Sequence, residues 1–276
     1  MKILQLSAVH NWGGGGNHIE NLCYELSLSH PHVRNIIMVA RNGEFHERLK
    51  KSSFEYVTVP LAFNLDPRAI FHIIEICRKR KVDIIHVHGS TSIALAVIAD
   101  HLADLPPFIF SKKISFPIRK RRITLYKYNY HKIQKYLCVS KQTELVMSKA
   151  IKEKEKLVTI YHGTRLDTKS TVTPFSLRDR FDIEPETIIV GNVANHHFSK
   201  DLGTFIEVAD HLINQLNLKN FHFIQIGSFT KISDPWLAKV KQLNLQKHFN
   251  FLGHEPNASN FIPQFDIFLL TSTNEG

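Results

Sequence analysis

No apolar run in this 276-residue chain approaches the roughly 20 residues that a membrane-spanning helix needs. Cysteine is scarce too. Cys23, Cys77 and Cys138 are the only three, far apart and each set in an apolar pattern. That excludes a disulfide framework and fits buried free thiols in a reducing compartment. Only a short apolar stretch separates Lys2 from the first glycines, so no secretory signal is expected. Acidic residues are in deficit: 25 Asp and Glu against 35 Lys and Arg leave a net charge of +10. Such a balance implies an anionic partner (nucleotide, phospholipid surface or nucleic acid) without choosing among them. The hydrophobic content of 43% and charged content of 22% are those of a globular protein. The length allows two α/β domains or one large one. A cytoplasmic protein is expected, at most peripheral on the inner face of the membrane.

What is present is an alternation of strands and helices. Lys2–Ser7 is a short apolar strand, broken by Gly13, Gly14, Gly15 and Gly16. Ile19, Leu22, Cys23 and Leu26 then recur at helical spacing. Residues 36–40 and 56–59 read as strands. Asp66-Pro67 supplies a helix start, N-cap and first-turn proline in order, with Ile70, Ile73, Ile74 and Cys77 as the buried stripe. Strands at 84–88 and 108–110 flank a helix at 90–102. Strands at 136–139 and 157–160, around a helix at 141–150, close a first set. Residues 161–175 contain turn formers and no period, the pattern of a linker. The alternation restarts with strands at 187–193, 221–226, 249–252 and 267–270, and helices at 202–216 and 235–243. Two such sets predict two Rossmann-like parallel-sheet domains, 1–165 and 166–276, facing a cleft.

Several residues stand where chemistry is done in such folds. The four glycines let backbone pass close to a ligand and leave amides at a helix N-terminus for an anion. The spacing is not the dinucleotide fingerprint, because His18 occupies the place of the third glycine. No acidic ribose ligand ends the second strand, and no Lys-Ser/Thr follows the glycines. Those absences argue against an oxidoreductase and a P-loop. Lys200 opens a helix, where its charge adds to the helix dipole and suits a diphosphate leaving group. Glu275 follows a buried strand into the loop at its C-terminal end, where α/β sheets bind ligands. His86 and His88 share one face of a strand. No third ligand joins them, so no metal is expected, and His88 is left to line the cleft. The basic, tyrosine-bearing segment 112–135 carries Arg119, Lys120, Arg121 and Arg122 in succession. It contains no recognisable nucleic-acid fold. A helix on an anionic membrane surface and a solvated helix face both fit it.

Taken in order, the motifs VDIIHVHG, YLCVSKQTE, KLVTIYHGTRLD, IIVGNVANHHFSKDLGTFIEVA, FHFIQIG, FNFLGH and FDIFLLTSTNEG resemble the retaining glycosyltransferases of family 4. The resemblance implies the GT-B architecture, with an acceptor domain first and a nucleotide-sugar domain second. It implies that Lys200 grips the donor diphosphate and that Gly13–Gly16 approach donor phosphate and sugar. Gly227 and Gly253 would line the nucleotide base. Glu275 corresponds to the first glutamate of an E-x7-E motif and would contact the transferred sugar. No metal cofactor is implied, since cationic side chains and amides stabilise the departing diphosphate. The acceptor would be a glycan or lipid-linked glycan of a bacterial surface polysaccharide such as lipopolysaccharide or capsule.

The chain also departs from the family. Asn195 stands where many relatives carry an arginine, and Lys113 is the nearest match to a cleft histidine or arginine. The second glutamate of the motif falls beyond Gly276. The second domain is therefore expected to be incomplete and marginally stable, with proteolysis starting near the linker. A non-catalytic remnant or binding protein and a GT-B epimerase remain as alternative readings.

Overall fold

The computed structural model describes residues 1–165 and 172–276, which form two compact units, Met1–Thr164 (with Gly276) and Arg165–Glu275. The middle of the expected linker, residues 166–171, lies outside the described residues.

The first unit is built on strands β1 Lys2–Ser7, β2 Arg34–Ala40, β3 Tyr56–Val59, β4 Ile84–His88, β5 Phe108–Lys112, β6 Ile133–Cys138 and β7 Leu157–Thr159. All pair in parallel, in the order β3-β2-β1-β4-β5-β6-β7. The chain moves outward in one direction from β1 and then in the other from β4. The point between them is therefore the topological switch, where loops diverge and leave room for a ligand. In this register Ser7 lies beside His88. The glycine loop after β1 and the end of β4 are thus neighbours because of strand order alone.

Local signals set the helices. Asp66 caps the helix Pro67–Arg80 by accepting from the Arg68 amide, and Ala69, Ile70, Ile73, Ile74 and Cys77 are its buried residues. A helix at Glu44–Leu49 was not foreseen: at six residues it shows less than two turns of pattern, burying Phe45, His46 and Leu49. All three cysteines are free and buried.

Segment 112–135 differs from expectation. Its helix spans only Arg122–Tyr128, and β6 begins at Ile133. Two of its tyrosines, Tyr128 and Tyr130, belong to the core, as does Tyr136 just beyond it. The Tyr130 hydroxyl donates to Asp100 Oδ2 at 2.7 Å and that of Tyr136 to the Tyr128 carbonyl at 2.6 Å. Satisfied hydroxyls let these rings fill the interior, so they cannot sit at lipid headgroup depth. Ile123 and Tyr126 remain exposed beside the four basic residues.

The second unit has strands β8 Ile188–Val193, β9 Phe221–Ile226, β10 Phe249–Gly253 and β11 Ile267–Phe268, again all parallel, in the order β10-β9-β8-β11. Phe205, Phe223 and Phe249 pack on one face and Leu177, Ile224 and Phe261 on the other. β11 is shorter than the expected 267–270, although the Leu269 amide still donates to the Gly191 carbonyl. Ile267 and Phe268 are 45% and 44% exposed. The helix expected over 202–216 is α-helical only over Leu202–Asp210 and widens into a π-turn at His211–Gln215.

Candidate functional site

Each unit gathers its own set of polar residues at the C-terminal edge of its sheet. In the second, the switch lies between β8 and β11. The loop after β8 carries Asn195 and Lys200, and the loop after β11 carries Glu275. Phe198–Lys200 forms a 3-10 turn. Asp201 then takes a left-handed conformation (φ 44°) and caps the helix Leu202–Asp210 by accepting from the Thr204 amide. Lys200 is thereby held at a helix N-terminus, where anions are favoured. Its Nζ donates to Glu275 Oε1 in a close ion pair. Burial alone would raise the Glu275 carboxyl, but hydrogen bonds from Lys200 and Ser272 and the charge of Lys200 outweigh it and bring it below its ordinary value. Thr271 Oγ1 donates to the Lys200 carbonyl at 3.0 Å, and the Thr273 amide to the Ser199 carbonyl at 2.9 Å. Two residues 75 positions apart in sequence thus meet as one charged pair.

The glycines expected to line a base have an internal reason as well. A Cβ on Gly227 would sit 1.9 Å from the Ala194 carbonyl oxygen, so only glycine lets the loops after β8 and β9 approach this closely. Gly253 has φ +83°, which disfavours any other residue, and its carbonyl accepts from the Gly227 amide. Asn195 Oδ1 accepts from the Ser228 amide at 3.1 Å. In this structure that carbonyl joins two loops, and its side chain supplies no charge to replace an arginine. Gly227→Ala is expected to destabilise the second unit by about 1–3 kcal/mol through overpacking against backbone, measured as a lower melting temperature.

In the first unit, the helix Gly14–Ser29 begins inside the glycine run, with Gly13 as N-cap. Among the described residues, a Cβ on Gly13, Gly14 or Gly15 would meet nothing within 4 Å, whereas one on Gly16 would strike the Trp12 ring at 2.7 Å. Packing among the described residues therefore demands only the fourth glycine of the run. Lys113 Nζ donates to the Gly15 carbonyl at 3.0 Å, and burial pushes its ammonium down to about 7. Lys113 thus stands against the glycine loop.

His88 is buried rather than open to solvent. Its Nε2 donates to Gln5 Oε1 at 2.8 Å, and among the described residues its Nδ1 has no hydrogen-bond partner. Its ring lies 4.1 Å from that of His86 and 6.1 Å from that of His18, which stacks on His162 at 3.8 Å. His86 in turn is bonded to Ser111 Oγ at 2.7 Å. Burial, then repulsion from Lys113, lowers His86 to about 3, and burial with the neighbouring cations and imidazoles lowers His18 to about 3. His88 and His162 move in the same direction, burial being the largest cause in each. Gln5 and His162 were not singled out from sequence, and His18 was noted only for standing in place of a third glycine. The only available signal was that His18 lies one turn into the glycine-led helix. Among the described residues, no group of three or more His, Cys, Asp or Glu could hold a metal ion.

A family model described as Glycosyltransferase Family 4 matches residues 12–168. The UDP-Gal:alpha-D-GlcNAc-diphosphoundecaprenol alpha-1,3-galactosyltransferase of Escherichia coli is 21% identical over 221 residues. The match covers 76% of this chain and 57% of that protein, so the chain spans little more than half the length of this curated relative. Among solved structures, HepE of Anabaena in complex with UDP and glucose has a TM-score of 0.79 at 15% identity, covering 99% of this chain and 74% of the other. A glycosyltransferase from Rickettsia africae ESF-5 has a TM-score of 0.74 at 19% identity, covering 98% and 73%. At these identities the likeness establishes a shared fold.

Proposed function

The chain belongs to Glycosyltransferase Family 4, and from that premise we propose that it moves a sugar from a nucleoside-diphosphate sugar to a glycan or lipid-linked acceptor, with retention of configuration, in surface polysaccharide synthesis. The observation that carries the reading is the Lys200–Glu275 pair on the loops flanking the β8/β11 switch. The reaction breaks the anomeric C–O bond to the diphosphate and forms one to an acceptor hydroxyl, whose proton passes to the departing diphosphate or to solvent. The developing charge on the diphosphate is met by the Lys200 ammonium and the amides of the adjoining helix N-terminus. Glu275 is suited to the electron-poor sugar of an oxocarbenium-like transition state. The open space over Gly13–Gly15 suits close approach of donor sugar and phosphate. In the same reading Lys113 stands on the acceptor side and His88 joins Lys200 and Glu275 as a catalytic residue, and no metal is required. UDP as the nucleotide and a lipid diphosphate as the acceptor anchor are the choices supported by the HepE complex and the E. coli enzyme.

The test is a thermal-shift titration with UDP, GDP and ADP, followed by transfer from the matching sugar nucleotide. A ligand at 100 times its Kd stabilises by about 2.7 kcal/mol. A flat response to all three nucleotides, with no transfer, would sink the proposal. Product analysis separates transfer from epimerisation of the donor.

For the membrane side of the reading, Arg119–Arg122 with exposed Ile123 and Tyr126 is the surface we assign to anionic lipid. Each basic residue near such a surface is worth about 1 kcal/mol. Arg121→Gln with Arg122→Gln is therefore expected to weaken binding to phosphatidylglycerol vesicles by about 30-fold at low salt. Equal co-sedimentation of the two proteins would remove the segment from the proposal. Among the described residues, no helix is long and apolar enough to cross a membrane.

A further inference from the structure

The loop that carries Lys200 is fastened at its other end by a residue with no place in the chemistry above. His196 is only 2% exposed. Both of its ring nitrogens are engaged, Nε2 with Gln225 Oε1 at 2.8 Å and Nδ1 with Ser233 Oγ at 2.7 Å. The amide of Gln225 is oriented unambiguously, because its Nε2 donates to the carbonyls of Ala194 at 2.6 Å and Ile226 at 3.2 Å. Its Oε1 must then accept, which puts the imidazole proton on Nε2. A neutral ring leaves Nδ1 to accept from the Ser233 hydroxyl, and Ser233 Oγ accepts in turn from the Thr230 amide at 2.8 Å. The backbone of His196 is tied as well: its amide donates to the Ser228 carbonyl and its carbonyl accepts from Thr230 Oγ1. Phe229, Trp236 and Phe251 surround the ring edge-on at 5.1 to 5.5 Å. Every polar atom of the residue is thus committed to the β9 side, in an apolar cage where each bond is costly to break.

We infer that His196 is a positioning residue: as a neutral Nε2–H imidazole it pins the loop after β8 to the loop after β9, and so fixes where the next turn presents Lys200. Three residues separate the two, and the Phe198–Lys200 turn lets the set of the loop pass directly to the lysine. Thr271 and Thr273 hold the same turn from the β11 side. In His196→Ala the backbone bonds of residue 196 and the Asn195 bond to Ser228 persist, and what is lost is the ring's tie to Gln225 and Ser233. The ligand involved is the diphosphate of the nucleotide, so the inference rests on the donor-binding reading proposed above.

The experiment is a double-mutant cycle on the full chain, with His196→Ala, Lys200→Ala and both, measuring the Kd for UDP by calorimetry. If His196 acts through Lys200, His196→Ala raises Kd about tenfold in the wild-type background and less than twofold when Lys200 is already absent. His196→Gln, which keeps one hydrogen-bonding arm, recovers part of the loss. Equal costs in the two backgrounds, or no cost in either, would overturn the inference. Limited trypsin digestion supplies a ligand-free arm. Cleavage after Lys200 should accelerate at least fivefold in His196→Ala, with sites elsewhere in the second unit unchanged. Uniform acceleration would mark a merely structural role. If the wild-type chain binds no UDP, the donor reading falls, while the protease arm still decides whether His196 holds the loop.

Discussion

Lys200→Ala is expected to lower kcat/KM for sugar transfer by about 10²–10³-fold, the cost of removing one preorganised stabiliser of developing negative charge. The fold should survive the change. Lys200 and Glu275 are 28% and 44% exposed at their side chains, and ion pairs this open contribute at most about 1 kcal/mol to stability. A large loss of rate with a small change in melting temperature is therefore the signature sought. Glu275 reports on the same event. Burial raises its carboxyl, and the bond and charge of Lys200, with a contribution from Ser272, bring it below the ordinary value, so in Lys200→Ala its pKa should rise. Transfer by Lys200→Ala at the wild-type rate would remove Lys200 from the catalytic machinery, whatever its position.

Acid should unfold the first unit well before carboxylate titration explains it. His86 is fully buried and lowered to about 3 from 6.5. Between these values the unfolded chain binds a proton that the folded chain refuses. Stability is thus complete above about pH 6.5 and is lost progressively as pH falls toward 3. At pH 5 the loss from His86 alone is about 2 kcal/mol, equivalent to roughly 4–8 °C for a unit of this size. His18, His88 and His162 are displaced in the same direction and deepen the fall. The chain has two tryptophans, Trp12 in the first unit and Trp236 in the second, so single-tryptophan variants separate the two transitions. With Trp236→Phe, the melting temperature read at Trp12 should drop between pH 7 and pH 5, and His86→Gln should flatten that slope. A flat profile in the parent would show that the cluster is hydrated in solution and carries no such strain.

The periodicity of the sequence was enough to determine two parallel α/β units, because buried parallel strands are continuous apolar runs and their crossovers are helices. It also placed the glycine loop, Lys200 and Glu275 at strand ends, and Asp66-Pro67 at a helix start, since these depend only on local chemistry. Short elements escaped it: Glu44–Leu49 has too few turns for a period, and the early start of β6 at Ile133 hides among lysines and a glutamine. Tyr128 and Tyr130 of the basic segment fitted a surface helix and proved to be core, because a buried ring's partners come from another part of the chain. Only the tertiary structure could join Lys200 to Glu275, stack His18 on His162, or set His196 between Gln225 and Ser233. Those contacts follow from strand order and from loops brought together across a sheet edge, and no spacing along the chain encodes them.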